Sequence, residues 1–377
     1  MPVFIVSVVC LIWVVAGWPL WLKWRAVNWP RPFKTGGEPL SISMVICVRN
    51  GELHLRRKLE SVFALDYPRQ LIEIVVVSDG STDGTDAIAG EFAGQGVKLL
   101  RVPFGGKPAA LNAALKVISG EILLITDVRQ VMERQSVRKL IAGFADPEVG
   151  VISGELTIMD SARNEEVNIG SYRQFENWIR RQLTLVDSML GATGCFYAIR
   201  RSLARPLPPE TLLDDVYIPL GAFFEGYRLV AEPNARVFDY PTSLSTEFQR
   251  KVRTLAGNYQ LLKFYPQLLG PKNRMWADFV SYKLGRLLLP FFLIALFFSS
   301  FWLPPVWREV FVGLQLAGYG LAAIDGWLPE GMAIKKITAL ARTIGVMMLA
   351  ALCAISVLFV PAQRLWMPTQ MPVKKTG

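Results

Sequence analysis

Residues 74–85, with the sequence IVVVSDGSTDGT, carry the most information about the architecture of this chain. The first four residues form an unbroken β-branched run, which is typical of a parallel strand buried on both faces. Turn-forming and helix-capping residues follow at once. A buried strand that ends in a polar turn before a helix places Asp79 at the carboxyl edge of a sheet, where open α/β sheets bind ligands. Taken alone, the stretch fits equally well an ordinary loop in which Asp83 caps the next helix.

Strands and helices alternate around this stretch. Strands are predicted at Ser41–Val48, Glu73–Ser78, Val97–Val102 and Glu121–Thr126. Helices are predicted at Glu52–Leu65, Asp83–Ala93 and Lys107–Ile118. This alternation predicts a mostly parallel sheet with right-handed crossovers. The predicted fold class is therefore α/β, with a Rossmann-like, nucleotide-binding first half.

The region that follows is more mixed. Further strands are predicted at Val149–Met159, Gly194–Ile199, Arg228–Ala231 and Arg236–Tyr240. Helices are predicted at Glu166–Leu185, from Leu213 toward Gly226, and at Ser245–Phe264. The last helix is amphipathic and basic, which suits a position along a membrane surface.

Apolar residues make up 52% of the 377 residues and accumulate at both ends of the chain. Val3–Leu22 is long enough to span a bilayer, and the basic residues Lys23 and Arg25 follow it directly. By the positive-inside rule, the segment after them lies in the cytoplasm. Later spans are predicted at Leu284–Leu303, Val306–Ile324 and Ile337–Val360. The chain is thus predicted to be an integral protein of the inner membrane whose soluble middle region lies in the cytoplasm.

The predicted organisation has six parts: an N-terminal transmembrane helix (1–24), a linker (25–40), a soluble α/β domain (41–240), amphipathic interface helices (241–280), three C-terminal transmembrane or membrane-associated segments (281–361) and a tail (362–377). The linker is rich in Pro and Gly, as domain boundaries often are. One N-terminal and three C-terminal crossings would put the basic tail outside, so a re-entrant or interfacial segment is the alternative for one of the last three.

Charge and composition narrow the classes of partner. The net charge of +10 points first to a cytoplasmic membrane surface. Nucleic acid is not expected, because the sequence has no Lys/Arg stripe with interleaved aromatic residues. The four cysteines lack metal-ligand spacing, so neither zinc nor a disulfide framework is expected. His54 is the only histidine and lies on a charged helix face, which argues against histidine-dependent catalysis.

Acidic residues on loops after strands, or at helix starts, are the candidates for chemistry. They are Asp79, Asp127 and Asp215, and Lys107 follows a Gly-Gly pair. A basic cluster, Arg250–Arg253, comes later. Carboxylates can accept hydrogen bonds from a base or ribose and can deprotonate an acceptor hydroxyl, while Lys and Arg neutralise a departing diphosphate. The set predicts a site that handles a nucleoside diphosphate.

Each of these residues also has a purely structural interpretation. Asp79 can cap its turn, and Lys107 can be a solvated lysine at a helix start. Asp214 and Asp215 can together cap the dipole of the helix that follows them. The basic cluster can bind anionic lipid headgroups.

Seven segments make residues 41–262 resemble family 2 glycosyltransferases with the GT-A fold, of the membrane-embedded branch that includes cellulose, hyaluronan and chitin-type synthases and ceramide glucosyltransferase. In order, these segments are Val48–Glu52, Val77–Asp83, Gly106–Asn112, Thr126–Asp127, Gly194–Arg201, Leu213–Asp215 and Arg250–Arg253. Each segment alone is a weak motif, but all seven occur in the family order. The resemblance implies a GT-A cytoplasmic domain with α-helical transmembrane segments.

The resemblance also implies roles for individual residues. Asp79 resembles the uridine-binding aspartate of the family, Lys107 the lysine at the nucleotide, and Asp127 the first aspartate of the Asp-x-Asp metal motif. Asp215 resembles the carboxylate that acts as general base. Arg250 and Arg253 resemble the Gln/Arg-x-x-Arg-Trp signature that grips the diphosphate. Candidates on the acceptor side are Asp214, Gly194, Cys195 and Glu176, and packing is the alternative role of Glu176.

Two departures from the family pattern matter. Arg129 stands where the metal motif has its second carboxylate, which should weaken a site for Mg²⁺ or Mn²⁺. Either Arg129 binds the phosphates directly, or Asp127 holds the metal together with water and diphosphate oxygens. Thr254 replaces the Trp that belongs to the acceptor site of the processive synthases, which favours transfer of a single sugar.

The predicted function is that of an inverting hexosyltransferase. It would move a sugar from a nucleotide-diphosphate donor, expected to be a UDP-sugar, to a lipid or lipid-linked acceptor at the cytoplasmic membrane face. One alternative is a processive polysaccharide synthase coupled to export. Another, suggested by Arg129, is a non-catalytic nucleotide-binding membrane subunit.

Overall fold

The computed structural model describes residues 1–159, 171–240, 244–329 and 331–365. They fall into two compact units. One unit is Leu22–Pro241, and the other combines Met1–Trp21 with Thr242–Gly377.

The described secondary structure comprises eight strands and thirteen α-helices. The strands are β1 (Ile42–Val48), β2 (Ile72–Asp79), β3 (Val97–Val102), β4 (Ile122–Thr126), β5 (Val131–Met132), β6 (Val149–Ile158), β7 (Phe196–Arg200) and β8 (Arg228–Asp239). The helices are α1 (Pro2–Ile12), α2 (Trp18–Asn28), α3 (Glu52–Phe63), α4 (Thr85–Glu91), α5 (Gly106–Ala114), α6 (Ser136–Ala142), α7 (Ser171–Val186), α8 (Asp214–Phe224), α9 (Leu244–Phe264), α10 (Trp276–Asp278), α11 (Gly285–Ser300), α12 (Pro305–Ile324) and α13 (Lys335–Ala354).

All eight strands form one mixed, mostly parallel sheet in the order β3-β2-β1-β4-β7-β6-β8-β5. The first four of these positions are parallel, with Val45 of β1 opposite Val75 of β2 on one side and Ile125 of β4 on the other. Strand β7 then runs antiparallel between β4 and β6. The predicted α/β fold class is confirmed, and the carboxyl ends of β1, β2 and β4 meet at one edge of the sheet.

The core explains why the β-branched run forms the centre of this unit. Residues Ile74–Val77 of β2 are all buried, as the predicted two-sided strand requires. Leu55 and Leu59 of α3 pack into the same hydrophobic cluster as Ile74 and Val76. Burial of aliphatic side chains from both layers stabilises the sheet and holds its polar edge in place.

Several elements differ from the sequence-based expectation. Strand β5 and helix α6 were not predicted. A strand of two residues, such as β5, is too short to show a periodicity of its own. The strands predicted at Arg228–Ala231 and Arg236–Tyr240 are the two ladders of a single strand, β8. The register with β6 jumps from Ala231 to Arg236, so residues 232–235, which include a proline without an N–H, bulge out between the ladders. The first residues of the helix predicted at Glu166–Leu185 lie outside the described residues.

The second unit is dominated by apolar helices. Over the described residues, four helical segments are long and apolar enough to cross a membrane: Pro2–Asn28, Trp276–Ser300, Pro305–Trp327 and Lys335–Leu358. Their positions agree with the four predicted spans. Inside this unit, Trp18 donates a hydrogen bond from Nε1 to Asp278 Oδ1 at 3.1 Å and stacks on Tyr282.

Candidate active site

Lys107 is the centre of the site at the carboxyl edge of the sheet. It follows the first residue of α5, and its ammonium lies 3.0 Å from Asp127 Oδ1 and 3.1 Å from Asp214 Oδ2. It also donates a hydrogen bond to the carbonyl of Gly194 at 3.2 Å. One cation thereby joins the loop after β4, the start of α8 and the loop before β7.

The carboxylates keep Lys107 charged although it is largely buried. Burial alone would lower the pKa of this lysine, but Asp127, Asp214 and Asp215 raise the pKa well above its ordinary value. At neutral pH the site therefore presents an ammonium ion surrounded by acidic groups. The Lys107 ammonium is thus a group at this edge that can donate hydrogen bonds to phosphate oxygens.

Asp79 has a defined structural role at the same edge. Its side chain is only 4% exposed, and its two carboxylate oxygens accept hydrogen bonds from the N–H groups of Gly105 (2.8 Å) and Gly106 (3.0 Å). Lys107 is the next residue, so Asp79 fixes the backbone that presents the lysine. Its predicted contact with uridine stays a prediction.

Glycine is required where the Asp79 loop meets the next one. Gly80 has a φ of +61°, and a Cβ there would lie 2.9 Å from the backbone nitrogen of Phe104. Residues with a side chain rarely adopt this φ, and the neighbouring backbone leaves no room for one. The Gly in Ser78-Asp79-Gly80 therefore allows two loops of the site to touch.

Asp214 and Asp215 begin helix α8. Both lie in its first turn, where the helix dipole favours negative charge. The backbone carbonyl of Asp215 accepts a hydrogen bond from the N–H of Ala192 at 2.8 Å. A Cβ on Gly194 would lie 2.8 Å from Asp215 Oδ2, so the absence of a side chain at Gly194 lets this loop approach the carboxylate.

The loop after β4 contains the residue that departs from the metal motif. Arg129 Nη2 lies 2.6 Å from Asp239 Oδ2, and Gln130 Nε2 donates to the same oxygen at 2.7 Å. Asp239 ends β8 and is 2% exposed. In this structure the Arg129 guanidinium thus binds a buried carboxylate, and this pairing was not foreseen from the sequence.

Asp127 is the residue at this edge that could contribute a carboxylate to a divalent cation. Among the described residues, no group of three or more His, Cys, Asp or Glu side chains could hold a metal ion. Asp127 offers a single carboxylate, and one of its oxygens contacts Lys107. Mg²⁺ or Mn²⁺ at Asp127 would therefore take most of its oxygen ligands from a diphosphate and water.

The remaining predicted residues lie in different settings. Cys195 belongs to the hydrophobic core, where burial raises the pKa of its thiol to about 12, and its carbonyl accepts a hydrogen bond from the Asp127 N–H at 3.3 Å. Glu176 is half-buried in α7. Arg250 and Arg253 lie in α9, within the second unit, and their contact with the donor stays a prediction.

Sequence reasoning missed an aromatic and an arginine at the same edge. The Arg49 guanidinium lies over the ring of Phe104, 3.7 Å from its centroid, and Phe104 is 57% exposed. Arg49 follows β1, and Phe104 precedes the two glycines that bind Asp79. An aromatic residue beside a Gly-Gly pair was the signal in the sequence that could have indicated this surface.

The strand order and the polar carboxyl edge of the sheet define a GT-A-like α/β domain. Residues 43–207 match the family described as glycosyl transferase family 2. The chain therefore contains a family 2 glycosyltransferase domain over these residues, which agrees with the predicted enzyme class.

Relatives in this family act in different ways. The chain is 24% identical to a β-monoglucosyldiacylglycerol synthase of Synechocystis over 389 aligned positions, covering 92% of this chain and 80% of the relative. It is also 24% identical to the probable glycosyltransferase YdaM of Bacillus subtilis, covering 62% of this chain and 59% of YdaM. A poly-β-1,6-N-acetyl-D-glucosamine synthase of Staphylococcus epidermidis is 24% identical, covering 67% and 61%. The chain thus spans about three fifths of two of these relatives.

A solved structure shares the fold. The mannosyltransferase PcManGT from Pyrobaculum calidifontis, in complex with GDP-Man and Mn²⁺, superposes with a TM-score of 0.71 at 20% identity. The similarity covers 95% of this chain and 99% of that one. At this identity the likeness establishes the fold alone.

Proposed function

We propose that this chain transfers a single sugar from a nucleoside-diphosphate donor to a lipid or lipid-linked acceptor at the membrane surface, with inversion at the anomeric carbon. The observation that carries the proposal is the Lys107 ammonium held between Asp127 and Asp214, with Asp215 beside them. A preorganised cation next to several carboxylates provides both leaving-group stabilisation and a general base.

The donor would bind along the carboxyl edge of the sheet. Lys107 would contact the diphosphate, and Asp79 would hold the loop that presents Lys107. The exposed Arg49–Phe104 pair offers a flat surface on which a nucleobase can stack. A uracil base, and a grip on the diphosphate by Arg250 and Arg253, are further parts of the proposal.

The chemical step would be an in-line displacement. Asp215 takes the proton of the acceptor hydroxyl, and the hydroxyl oxygen forms a bond to the anomeric carbon. On the opposite face, the bond from that carbon to the diphosphate oxygen breaks, and the nucleoside diphosphate leaves with the electron pair. Lys107 neutralises the charge that develops on the leaving group.

A divalent cation is part of the proposal. PcManGT contains Mn²⁺, and Asp127 is the residue here that would contribute a carboxylate to Mg²⁺ or Mn²⁺. The cation would supply additional positive charge to the diphosphate. Because Lys107 already contacts Asp127, we expect weak cation affinity without donor and a marked increase once a diphosphate is bound.

The lipid acceptor is supported by two observations. The relative that aligns with 92% of this chain is a β-monoglucosyldiacylglycerol synthase, and four helical segments are apolar enough to cross a membrane. We propose an inner-membrane location with the family 2 domain in the cytoplasm, and an acceptor side formed by Asp214, Gly194, Cys195 and Glu176. Nucleic acid has no part in this function.

A processive polysaccharide synthase remains the second candidate. The poly-β-1,6-N-acetyl-D-glucosamine synthase relative favours it, whereas Thr254 in place of the processive Trp favours single transfer. The family 2 match and the carboxylates around Lys107 favour an enzyme over the non-catalytic alternative.

A donor screen on the full chain tests the proposal. Purified protein in lipid nanodiscs is mixed with UDP- and GDP-sugars, with diacylglycerol or a polyprenyl phosphate, and with Mg²⁺, Mn²⁺ or a chelator. We expect one nucleoside diphosphate released per glycolipid formed. A product ladder of increasing length would instead establish the processive candidate, and release without any glycosylated acceptor would contradict both.

A further inference from the structure

A buried lysine, Lys58, lies beneath the loop that carries Asp127. It belongs to α3, and it is only 1% exposed. Leu55 and Leu59 of the same helix are buried in the hydrophobic core. A lysine among such residues is unusual, because burying an ammonium group is costly unless it is well paired.

The contacts of Lys58 close the Asp127 loop at both ends. Nζ donates hydrogen bonds to Thr126 Oγ1 at 2.7 Å and to the backbone carbonyl of Gln130 at 2.8 Å. Thr126 is the last residue of β4, and Gln130 comes just before β5. The three residues between them, Asp127 to Arg129, therefore form a loop whose two ends are held by one side chain.

A short chain of hydrogen bonds connects Lys58 to the backbone of Asp127. Thr126 Oγ1 accepts from Lys58 and donates to the carbonyl of Cys195 at 3.0 Å. The N–H of Asp127 donates to that same carbonyl at 3.3 Å. Asp239 holds the far side of the loop through Arg129 and Gln130. Arg129 in the loop and Gln130 at its end are thus both bound to Asp239, and Asp127 is the acidic residue of the loop that reaches Lys107.

Burial of Lys58 lowers the stability of the folded protein. No salt bridge joins it to a carboxylate within the described residues, and burial lowers the pKa of its amine to about 7. An apolar side chain of similar size would fill the same space without this cost. Because an apolar residue would be less costly here, we infer that the hydrogen bonds of Lys58 to the Asp127 loop have a function.

We propose that Lys58 is a positioning residue for glycosyl transfer, which fixes the Asp127 carboxylate against Lys107 by holding the two ends of the Asp127 loop. This inference rests on the proposed function, because it assigns Lys58 to the same reaction. Lys58 does not itself contact the donor or the acceptor.

A double-mutant cycle on the full chain in nanodiscs tests the inference. Lys58→Met keeps the side-chain length and apolar packing but removes the hydrogen bonds, so the variant is expected to fold. With the donor found by the screen, Lys58→Met should lower kcat by about 10- to 100-fold, the usual effect of losing an orienting partner, with a smaller change in donor KM. In an Asp127→Asn background the same substitution should change kcat by less than about 3-fold, because Asp127 no longer needs positioning. Arg56→Met, on the exposed face of the same helix, is the control and should leave kcat unchanged.

Multiplicative effects of Lys58→Met and Asp127→Asn would overturn the inference, since they would mean that Lys58 acts independently of Asp127. Hydrogen–deuterium exchange of the donor-free protein separates this failure from failure of the proposed function. Lys58→Met should speed exchange at residues 126–130 and leave residues 97–102 unchanged. If wild-type protein turns over no nucleotide sugar, the proposed function fails even when exchange behaves as expected. If wild type is active but exchange at 126–130 is unaltered, the role of Lys58 fails alone.

Discussion

At the scale of single residues, the site is organised by charge pairing across distant segments. Lys107 collects the carboxylates of Asp127 and Asp214, and it stays protonated because of them. The structure therefore places the Lys107 ammonium beside Asp127, the first residue of the predicted metal motif. The contribution of Lys107 to donor turnover and the assignment of Asp215 as the base can each be tested by one substitution.

Replacing the proposed base should separate binding from chemistry. Asp215→Asn should retain donor binding, because the carboxamide is isosteric, and should lower transfer by about 10²- to 10⁴-fold, the usual contribution of a general base. Donor binding is measured by calorimetry and transfer by glycolipid formation. Glu225→Gln, which removes a carboxylate from the solvent-exposed residue just after α8, is the matched control and should behave as wild type. Near-normal transfer by Asp215→Asn would disprove the assignment of the base.

Removing the central cation should affect the donor first. Lys107→Met leaves Asp127 and Asp214 without their shared partner and leaves the departing diphosphate unneutralised, so kcat/KM for the donor should fall by about 10²- to 10³-fold. Steady-state kinetics with saturating acceptor measure this fall. Lys116→Met, two residues beyond the end of α5 and exposed, should cause no change. An unaltered kcat/KM in Lys107→Met would show that the Lys107 ammonium does not act on the donor.

At the scale of elements, the site depends on close contact between the loop after β2 and the loop after β3, which a glycine without a side chain makes possible. Asp79 at the end of β2 binds the backbone that starts α5, and Gly80 makes room for the loop after β3. At this edge the N–H groups of Gly105 and Gly106 are therefore paired with a buried carboxylate, as buried polar groups generally are.

Alanine substitutions at two glycines, one in close contact and one in open space, measure how tightly these loops pack. Gly80→Ala should destabilise the protein by about 1–3 kcal/mol, because the new methyl group meets the Phe104 backbone and the positive φ is strained. Gly90→Ala in α4, where a Cβ meets nothing within 4 Å, should instead be neutral or stabilise by about 0.5–1 kcal/mol. Apparent Tm values of the two variants in the same detergent give the comparison. Equal Tm values would mean that the two loops separate at no cost.

At the scale of the whole molecule, apolar helices at both ends enclose the sequence of the catalytic domain. Four crossings with basic residues after the first would leave the domain in the cytoplasm and the segment between α11 and α12 outside. We propose this orientation from the positive-inside rule at the first crossing and the alternation of the crossings after it.

Cysteine labelling tests the orientation. In a background without the four native cysteines, Lys116→Cys should react with a membrane-impermeant maleimide only after spheroplasts are permeabilised. Trp302→Cys, in the exposed segment between α11 and α12, should react in intact spheroplasts. Labelling of Lys116→Cys in intact spheroplasts would refute the cytoplasmic location of the domain.

The sequence by itself determined the α/β class, the four apolar spans and the segments that carry the site. These features follow from local patterns: β-branched runs, turn residues and apolar length are properties of neighbouring residues. The short strand β5, helix α6 and the continuity of the bulged strand β8 were not predicted. Two-residue strands and bulges leave little periodicity to detect in a sequence.

Only the tertiary structure decided how the site residues pair. Lys107 meets Asp127 across 20 residues, Arg129 meets Asp239 across 110, and Lys58 reaches Thr126 across 68. Such pairs depend on strand order and on which loops share an edge of the sheet, and no local pattern encodes either. Whether a charged side chain is buried also depends on the tertiary structure. The burial of Lys58 and Asp239 could therefore not be predicted from the sequence, although both side chains hold the loop of Asp127 in place.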